Sequence, residues 1–539
     1  MTSLPNPFSR QSLMLSLIVI GGLIVRIALA PYGSFEYDAA VMRNWAHILT
    51  TAPLGFYYDQ AFTPDHLPGD LWILWYVANA FRAVGDGDID GLEFLLALKL
   101  VPAIADGAIG ILLYAIARSI RDARAGLAAA AMFMFNPASI FLTSTWGQWD
   151  SVSMALALLA IVFFLQHRYV LAGPVLTYAI LIKPQFGILL VLLVAAYVLY
   201  ELTARPRPSL WRTVQTIGLT LLASAVLALA ALLPFGIGVP PLTTQWSLVE
   251  RLEYSLDLWT GTTLRAFNAW ILPIGVESAP PDSVVWGALT YQEWGVAGFA
   301  TCLLLAGFGF WLASRASFAT ALMTLCLAAM LGSFLFTTRV HERYLFPALV
   351  LAILLGAISR PMLVAPFVLT GTFLVNLVWV YDLEEPDWNL LVLASDTIRL
   401  MAALNLLVLA WTLVPRPWQL ILWSRLRDRL SGETKKGASR SRQRPARRAT
   451  SSVQGTVQMV ASDTRRPFRR HAERQRSIQR SLSRAQRGMR STRWRRRRLV
   501  SRTISPPAAD ALSLALRAGT LLSAQGNGPG EPADLSNRG

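Results

Sequence analysis

The sequence predicts an all-α fold: a polytopic membrane helical bundle of about twelve spans, with interfacial helices in the first outer loop and a disordered basic C-terminal tail. Three observations predict it. Of 539 residues, 54% are hydrophobic and only 15% charged, where soluble domains carry about a quarter charged. Apolar runs of ~17–25 residues, the length that crosses bilayer hydrocarbon, recur up to about residue 414. The basicity lies at one end: residues 1–424 hold 21 Lys and Arg against 25 Asp and Glu, and residues 425–539 hold 28 against 7. The formal charge of +17 therefore belongs to the tail. The mildly acidic membrane part gives no reason to expect nucleic acid as a partner.

The first apolar run, 12–30, carries Arg26 near its far end. It has no small-residue cleavage site and further runs follow, so it reads as a retained helix and not a removed signal peptide. The later candidate spans are 94–117, 125–143, 151–166, 169–183, 185–201, 213–235, 295–314, 317–336, 344–359, 361–380 and 397–414. Residues 71–84 are apolar but short, and their status sets the orientation of everything after them. If they do not cross and the N-terminus is cytoplasmic, then Arg118, Arg121, Arg124, Arg168, Arg205, Arg207, Arg212, Arg315, Arg360 and the Arg416 tail all fall inside. That obeys the positive-inside rule at every loop. The alternative puts Arg10 outside and Asp38 in the cytoplasm, so twelve spans with both ends inside is the reading taken.

In that topology the polar motifs gather on the outer face. The first outer loop carries a helix over 39–49, with Val41, Trp45, Ile48 and Leu49 on one face, the spacing of a helix lying in the interface plane. It continues through Tyr57, Tyr58 and His66-Leu67-Pro68-Gly69. Beyond residue 425 the Arg-, Ser- and Gln-rich tail, with its Arg495–Arg498 run, has too little apolar surface to offset chain entropy. Disorder is expected there, with attraction to anionic lipid of ~1 kcal/mol per basic residue. The alternative is an out-of-frame or read-through translation, which an intact mass of the native protein decides.

Asp38, just past the first span, is the candidate general base, taking a proton from an acceptor hydroxyl. A lone loop carboxylate is more often simply solvated, but Trp45, Tyr57, Tyr58 and His66 around it are what lines carbohydrate sites. Trp146-Gly147-Gln148-Trp149-Asp150 joins two spans, and carboxylates at such places are costly and functional by default. The alternative there is an aromatic belt with Asp150 capping the helix that begins at Ser151. Thr338-Arg339-Val340-His341-Glu342-Arg343-Tyr344 is the densest charge cluster of the membrane part. Its guanidinium groups suit a phosphate, and Lys183 is a further phosphate candidate, although a snorkelling lysine also explains it. Asp106 and Lys99, on one helix, are expected to pair with neighbouring spans. Cys302 and Cys326 lie inside apolar runs, which suggests neither a disulfide framework nor a thiolate metal site. His47, His66 and His341 lack the companions of a zinc site, and neither a Walker loop nor a Rossmann glycine pattern provides for a nucleotide.

Together these motifs resemble the GT-C superfamily of membrane glycosyltransferases. An acidic residue in the first outer loop is followed by a Trp-Ala helix, a Tyr-Tyr pair and a Pro-containing turn. Trp146–Asp150, Leu264-Arg265-Ala266-Phe267-Asn268-Ala269-Trp270 and Thr338–Pro347 are similar to segments of the prokaryotic relatives of the GPI-anchor mannosyltransferases and the dolichol-linked glucosyltransferases. The resemblance covers about residues 10–415 and omits the tail. It implies Asp38 as the catalytic residue, a polyprenyl-phosphate sugar donor with mannose favoured, a glycolipid or cell-envelope glycan acceptor, and inversion at the anomeric carbon. It places the donor phosphate with Arg339, His341, Arg343 and Lys183. Substrate contacts fall to Glu342, Asp150, Gln148, Trp45, Tyr58, His66 and Asn268. No cofactor or metal is expected. One departure is that the usual paired-proline turn reads His66-Leu67-Pro68-Gly69 here.

Two other classes fit parts of the pattern. A lipid flippase or transporter explains twelve spans but would place its polar residues at the midplane. A polysaccharide ligase or polymerase also uses outer-loop Arg and His, in one large outer loop instead of the first.

Overall fold

The computed structural model describes residues 9–84, 88–203, 209–239, 245–276, 278–384, 391, 393–415 and 418–425. The expected disorder of the tail from 426 onward lies outside the described residues. Helix makes up 79% of the structure, and strands among the described residues are confined to three short pairs. The chain is all-α, and its long apolar helices are those of a multi-pass membrane protein.

Each apolar run is helical, but the lengths differ. Eight helices among the described residues are long and apolar enough to cross a membrane, or nine if a bent pair counts as one. Asp150–Leu165, Tyr169–Ile182 and Phe346–Ile358 have 16, 14 and 13 residues, short of the ~20 that a crossing needs. The run expected at 125–143 is broken into Ala123–Met134 and Pro137–Trp146, bent by 46°. Pro137 removes a backbone donor. The Asn136 carboxamide oxygen accepts from the backbone of Ala138 and Ser139 and restarts the helix. The second piece then widens to a π turn over Phe141–Trp146.

The N-terminal bundle is tied by a buried polar cluster. Arg26 Nε lies 2.6 Å from Asp106 Oδ2, with both side chains fully buried. The same guanidinium donates to the Met134 carbonyl at 2.7 Å and to Ser139 Oγ at 2.9 Å. Asp106 also accepts from Thr143 and Ser151. One ion pair thereby joins Arg10–Leu29, Leu92–Ile120, both halves of the bent pair and Asp150–Leu165. Among the described residues, Lys99 has no carboxylate within ion-pair distance. Its ammonium donates to the carbonyls of Ala30, Gly33 and Thr145 at 2.9, 2.6 and 3.2 Å, holding the chain as it leaves the first span.

The first loop folds as expected at its centre. Glu36–Thr51 is a helix that buries Val41, Trp45, Ile48 and Leu49, and Pro68–Val84 is a second helix packed on it and on Tyr169–Ile182. Gly69 makes that last contact possible. A Cβ there would lie 2.5 Å from backbone atoms of Leu181 and Ile182, and the Tyr178 hydroxyl donates to the Gly69 carbonyl.

Between the long helices, Thr263–Leu264 pairs in parallel with Val340–His341. Buried amides fix this junction. Asn376 bonds both the Arg265 carbonyl and the Phe267 N–H, and Asn405 donates to the Phe267 carbonyl. The Trp270 indole donates to the Phe336 carbonyl.

Candidate functional site

Asp38 sits in the first turn of Glu36–Thr51, where the helix N-terminus favours a negative charge. Its Oδ2 accepts from the Trp146 indole at 2.8 Å and from the Gln148 amide. The local backbone explains why both donors reach one oxygen. The π turn ends at Gly147, at φ +90, and the N–H groups of Gly147 and Gln148 both return to the Leu142 carbonyl. This reversal places residues 146 and 148 on either side of a glycine that adopts the left-handed conformation without strain. Trp146 is further held by Phe35, stacked at 4.6 Å. The backbone of Ser34 is bonded to the Tyr381 hydroxyl.

Asp38 lines a cavity of about 510 Å³, with Trp45, His66, Gln148, Lys183, His341, Glu342 and Arg343 in the same wall. Arg343 is 3.4 Å from Glu342. Burial works against its charge, but Glu342, Asp38 and Asp150 outweigh it and raise the guanidinium further. Burial and then Asp38 raise the Glu342 carboxyl, against the pull of Arg343. His341 is driven well below the ordinary imidazole value by burial, with Arg343 and Lys183 adding to it. It is therefore a neutral hydrogen-bonding group, while Arg343 and Lys183 carry the positive charge. His66 behaves the opposite way. Burial opposes protonation, but the adjoining Asp70, with Asp65, leaves the imidazole raised.

The wall also contains residues that the sequence reading gave other roles or missed. Trp259 spans two of its parts, with its indole donating to Asp65 at 3.2 Å and its ring edge-on to His341 at 4.6 Å. Lys99, Asp70, Arg265 and Glu384 line it as well, and Arg265 is ion-paired with Glu384. Arg265 lay inside a quoted motif. Asp70 had the i, i+4 spacing from His66 that brings helical side chains together. Lys99 was marked only as a charge on an apolar helix, and nothing local marked Glu384.

Four predicted residues lie outside this wall. Arg339 adopts φ +61 and its guanidinium donates to Gln292 at 3.0 Å. Tyr58 donates to the His66 carbonyl and lies 4.2 Å under the Arg251 guanidinium. Asn268 is fully buried, its oxygen accepting from the Trp270 N–H. Asp150 begins its helix instead of capping it, because Trp149 occupies the cap position and makes no side-chain cap bond. Both Asp150 carboxylate oxygens are buried without a hydrogen-bond partner among the described residues.

Among the described residues, no three His, Cys, Asp or Glu side chains gather as a metal-binding group. No protein-family model matches the chain, and no curated protein matches it significantly. The arrangement itself offers a carboxylate with one oxygen fixed by two donors, two cations for an anion, and an aromatic wall in one cavity.

Proposed function

We propose that this protein is an integral-membrane glycosyltransferase of the GT-C type, moving a hexose, with mannose favoured, from a polyprenyl-phosphate donor to a glycolipid or cell-envelope acceptor. The observation that carries this reading is Asp38, positioned by Trp146 and Gln148 inside a cavity shared with Lys183 and Arg343. Both donors engage Oδ2, so Oδ1 is the oxygen left to take the acceptor proton. The acceptor oxygen bonds to the anomeric carbon from one side as the bond to the phosphate oxygen breaks on the other, which inverts the centre. Polyprenyl phosphate leaves with the electron pair. Lys183 and Arg343 stabilise the charge that develops on it, and neutral His341 donates a hydrogen bond. Glu342 and the aromatic side chains of Trp45 and Trp259 orient the sugar.

In this reading the shorter helices cross together with their flanking turns, giving twelve spans in the cell membrane. Both ends of the membrane domain are then cytoplasmic, and the Asp38 cavity faces the extracytoplasmic side. The basic tail is a separate cytoplasmic segment that meets anionic lipid.

The test is transfer of radiolabelled sugar from polyprenyl-phosphate-mannose, and separately from the glucose equivalent, to membrane acceptors. Wild type is compared with Asp38→Asn in matched membranes. Transfer lost with the substitution while folded protein persists supports the reading. Transfer unaffected by it removes Asp38 as the base. No transfer from either donor counts against a hexosyltransferase that uses these donors.

A further inference from the structure

A second cavity, about 430 Å³, lies at the other end of the helix that leads to Lys183. Tyr169–Ile182 has 14 residues, so its ends are ~20 Å apart at 1.5 Å per residue. Lys183 beyond one end lines the Asp38 cavity, whereas Arg168 and Tyr169 at the other end line this one. Arg212, Thr213, Tyr197 and Glu201, from two further helices, share the wall with His167 and Leu171.

The backbone that carries each arginine is held in place. Arg168 follows a tight turn in which His167 adopts φ +60, and the N–H groups of both residues return to the Phe164 and Phe163 carbonyls at 2.9 Å. Arg212 sits in the first turn of Leu210–Leu232, whose N-terminus Ser209 caps. Among the described residues, neither guanidinium has a carboxylate within ion-pair distance. With Glu201 also in the wall, two arginines leave a net charge of one positive, which matches a phosphodiester better than a dianionic phosphate. The surroundings are those of a lipid. Leu171 in the wall and Val214 beside it are 49% and 50% exposed, and Leu210–Leu232 leaves most of its apolar surface uncovered.

We propose that this cavity is a binding site for an anionic phospholipid. Its phosphodiester is held by Arg168 and Arg212, as guanidinium forks hold phosphate oxygens, and its acyl chains lie along Leu210–Leu232. The site is independent of the chemistry proposed for Asp38.

The experiment uses the full chain in detergent with phosphatidylglycerol that carries a photoactivatable acyl chain, followed by proteolysis and peptide mapping. Labelling is expected on the segments around residues 168–171 and 210–219. In the Arg168→Gln/Arg212→Gln double variant it falls ~100-fold, the effect of losing two charge-assisted hydrogen bonds at about tenfold each, while labelling elsewhere, including the basic tail, is unchanged. The charge-retaining Arg168→Lys variant keeps most of the labelling. A phosphatidylcholine analogue labels these segments little, and millimolar inorganic phosphate does not displace the probe. Equal labelling by phosphatidylcholine, or labelling indifferent to the loss of both arginines, overturns the proposal. Displacement by inorganic phosphate also overturns it, and marks a site for the free anion instead. The phosphatidylcholine and phosphate arms need only the wild-type protein, so a variant that fails to fold does not prevent the test.

Discussion

The indole of Trp146 donates to Asp38 across 2.8 Å, joining the end of a π turn to the first turn of a helix more than a hundred residues earlier. The Gln148 amide reaches the same carboxylate oxygen. These two donors determine which oxygen of Asp38 is available. Asp38→Asn removes the base and is expected to lower sugar transfer by ~100-fold or more. Trp146→Phe keeps the base, removes one donor and is expected to cost about tenfold, the worth of one hydrogen bond to a charged group. Initial rates in matched membranes read both, and equal losses would assign Trp146 more than positioning.

Arg343 and Arg339 differ by four positions and by environment. Arg343 lines the Asp38 cavity, whereas Arg339 is turned to Gln292. Arg343→Gln is expected to reduce kcat/KM by ~100-fold, the loss of a cation aimed at developing charge, and Arg339→Gln by a few-fold or less. Rates measured against donor concentration separate the two. Equal losses would return Arg339 to the phosphate site.

The Arg26–Asp106 pair is fully buried. Removing one partner strands the other charge, so Asp106→Ala is expected to destabilise by ~3–5 kcal/mol. An Arg26→Met/Asp106→Leu double variant is expected to be milder than either single one, because neither charge is left alone. Thermal unfolding of the purified variants in detergent checks the order.

Folding strengthens the hold of His66 on its proton, through Asp70 and Asp65 against the opposing effects of burial and Lys183. A raised native value contributes stability that is complete below the unfolded imidazole value of 6.5 and is lost as pH rises through the native one. Stability of wild type is therefore expected to decline from about pH 6.5 upward through this group. Asp70→Asn is expected to flatten that limb, as read from unfolding midpoints across pH.

Glu342 is raised above its ordinary value of 4.5, by burial first and Asp38 second. As pH rises through its native value it ionises and adds negative charge beside the proposed anionic donor. KM for the donor is expected to rise across that window in wild type and to stay level in Glu342→Gln. A pH series of KM values decides it, and parallel profiles would exclude Glu342 as the titrating group.

Much of this was legible from residue type and spacing. The apolar runs announced the helices, and four of the six buried positions of Glu36–Thr51 followed from their period. The meeting of Asp38 with Trp146 and Gln148 was not legible, since the contact depends on how a broken helix closes. The break itself had a local signal, Asn136-Pro137, which hydropathy averaging passes over because the residues on both sides are apolar. Arg339 was misleading for a different reason. Proximity in sequence to His341 suggested a shared site, but the left-handed backbone at Arg339 sends its side chain elsewhere. Asp150 looked like a cap because it precedes a serine, yet the helix begins one residue earlier than the apolar run suggests. Lys99 was legible as an anomaly but not as a clamp, since its partners are backbone carbonyls that no residue identity reveals.

The short parallel pairing of Thr263–Leu264 with Val340–His341 has a consequence for biosynthesis. Chains emerge N-terminus first, so Asp38, Trp146, Gln148 and Lys183 exist while His341 and Arg343 are still untranslated. The wall of the Asp38 cavity is then half built, and the Thr263–Leu264 strand has no partner to order it. Completion waits for the ribosome to deliver the second strand, and Arg343, the second of the two cations that would hold an anion, arrives in the same stroke. A nascent chain stalled before that point holds the carboxylate and Lys183 but lacks the Arg343 charge that would complete the grip on a substrate.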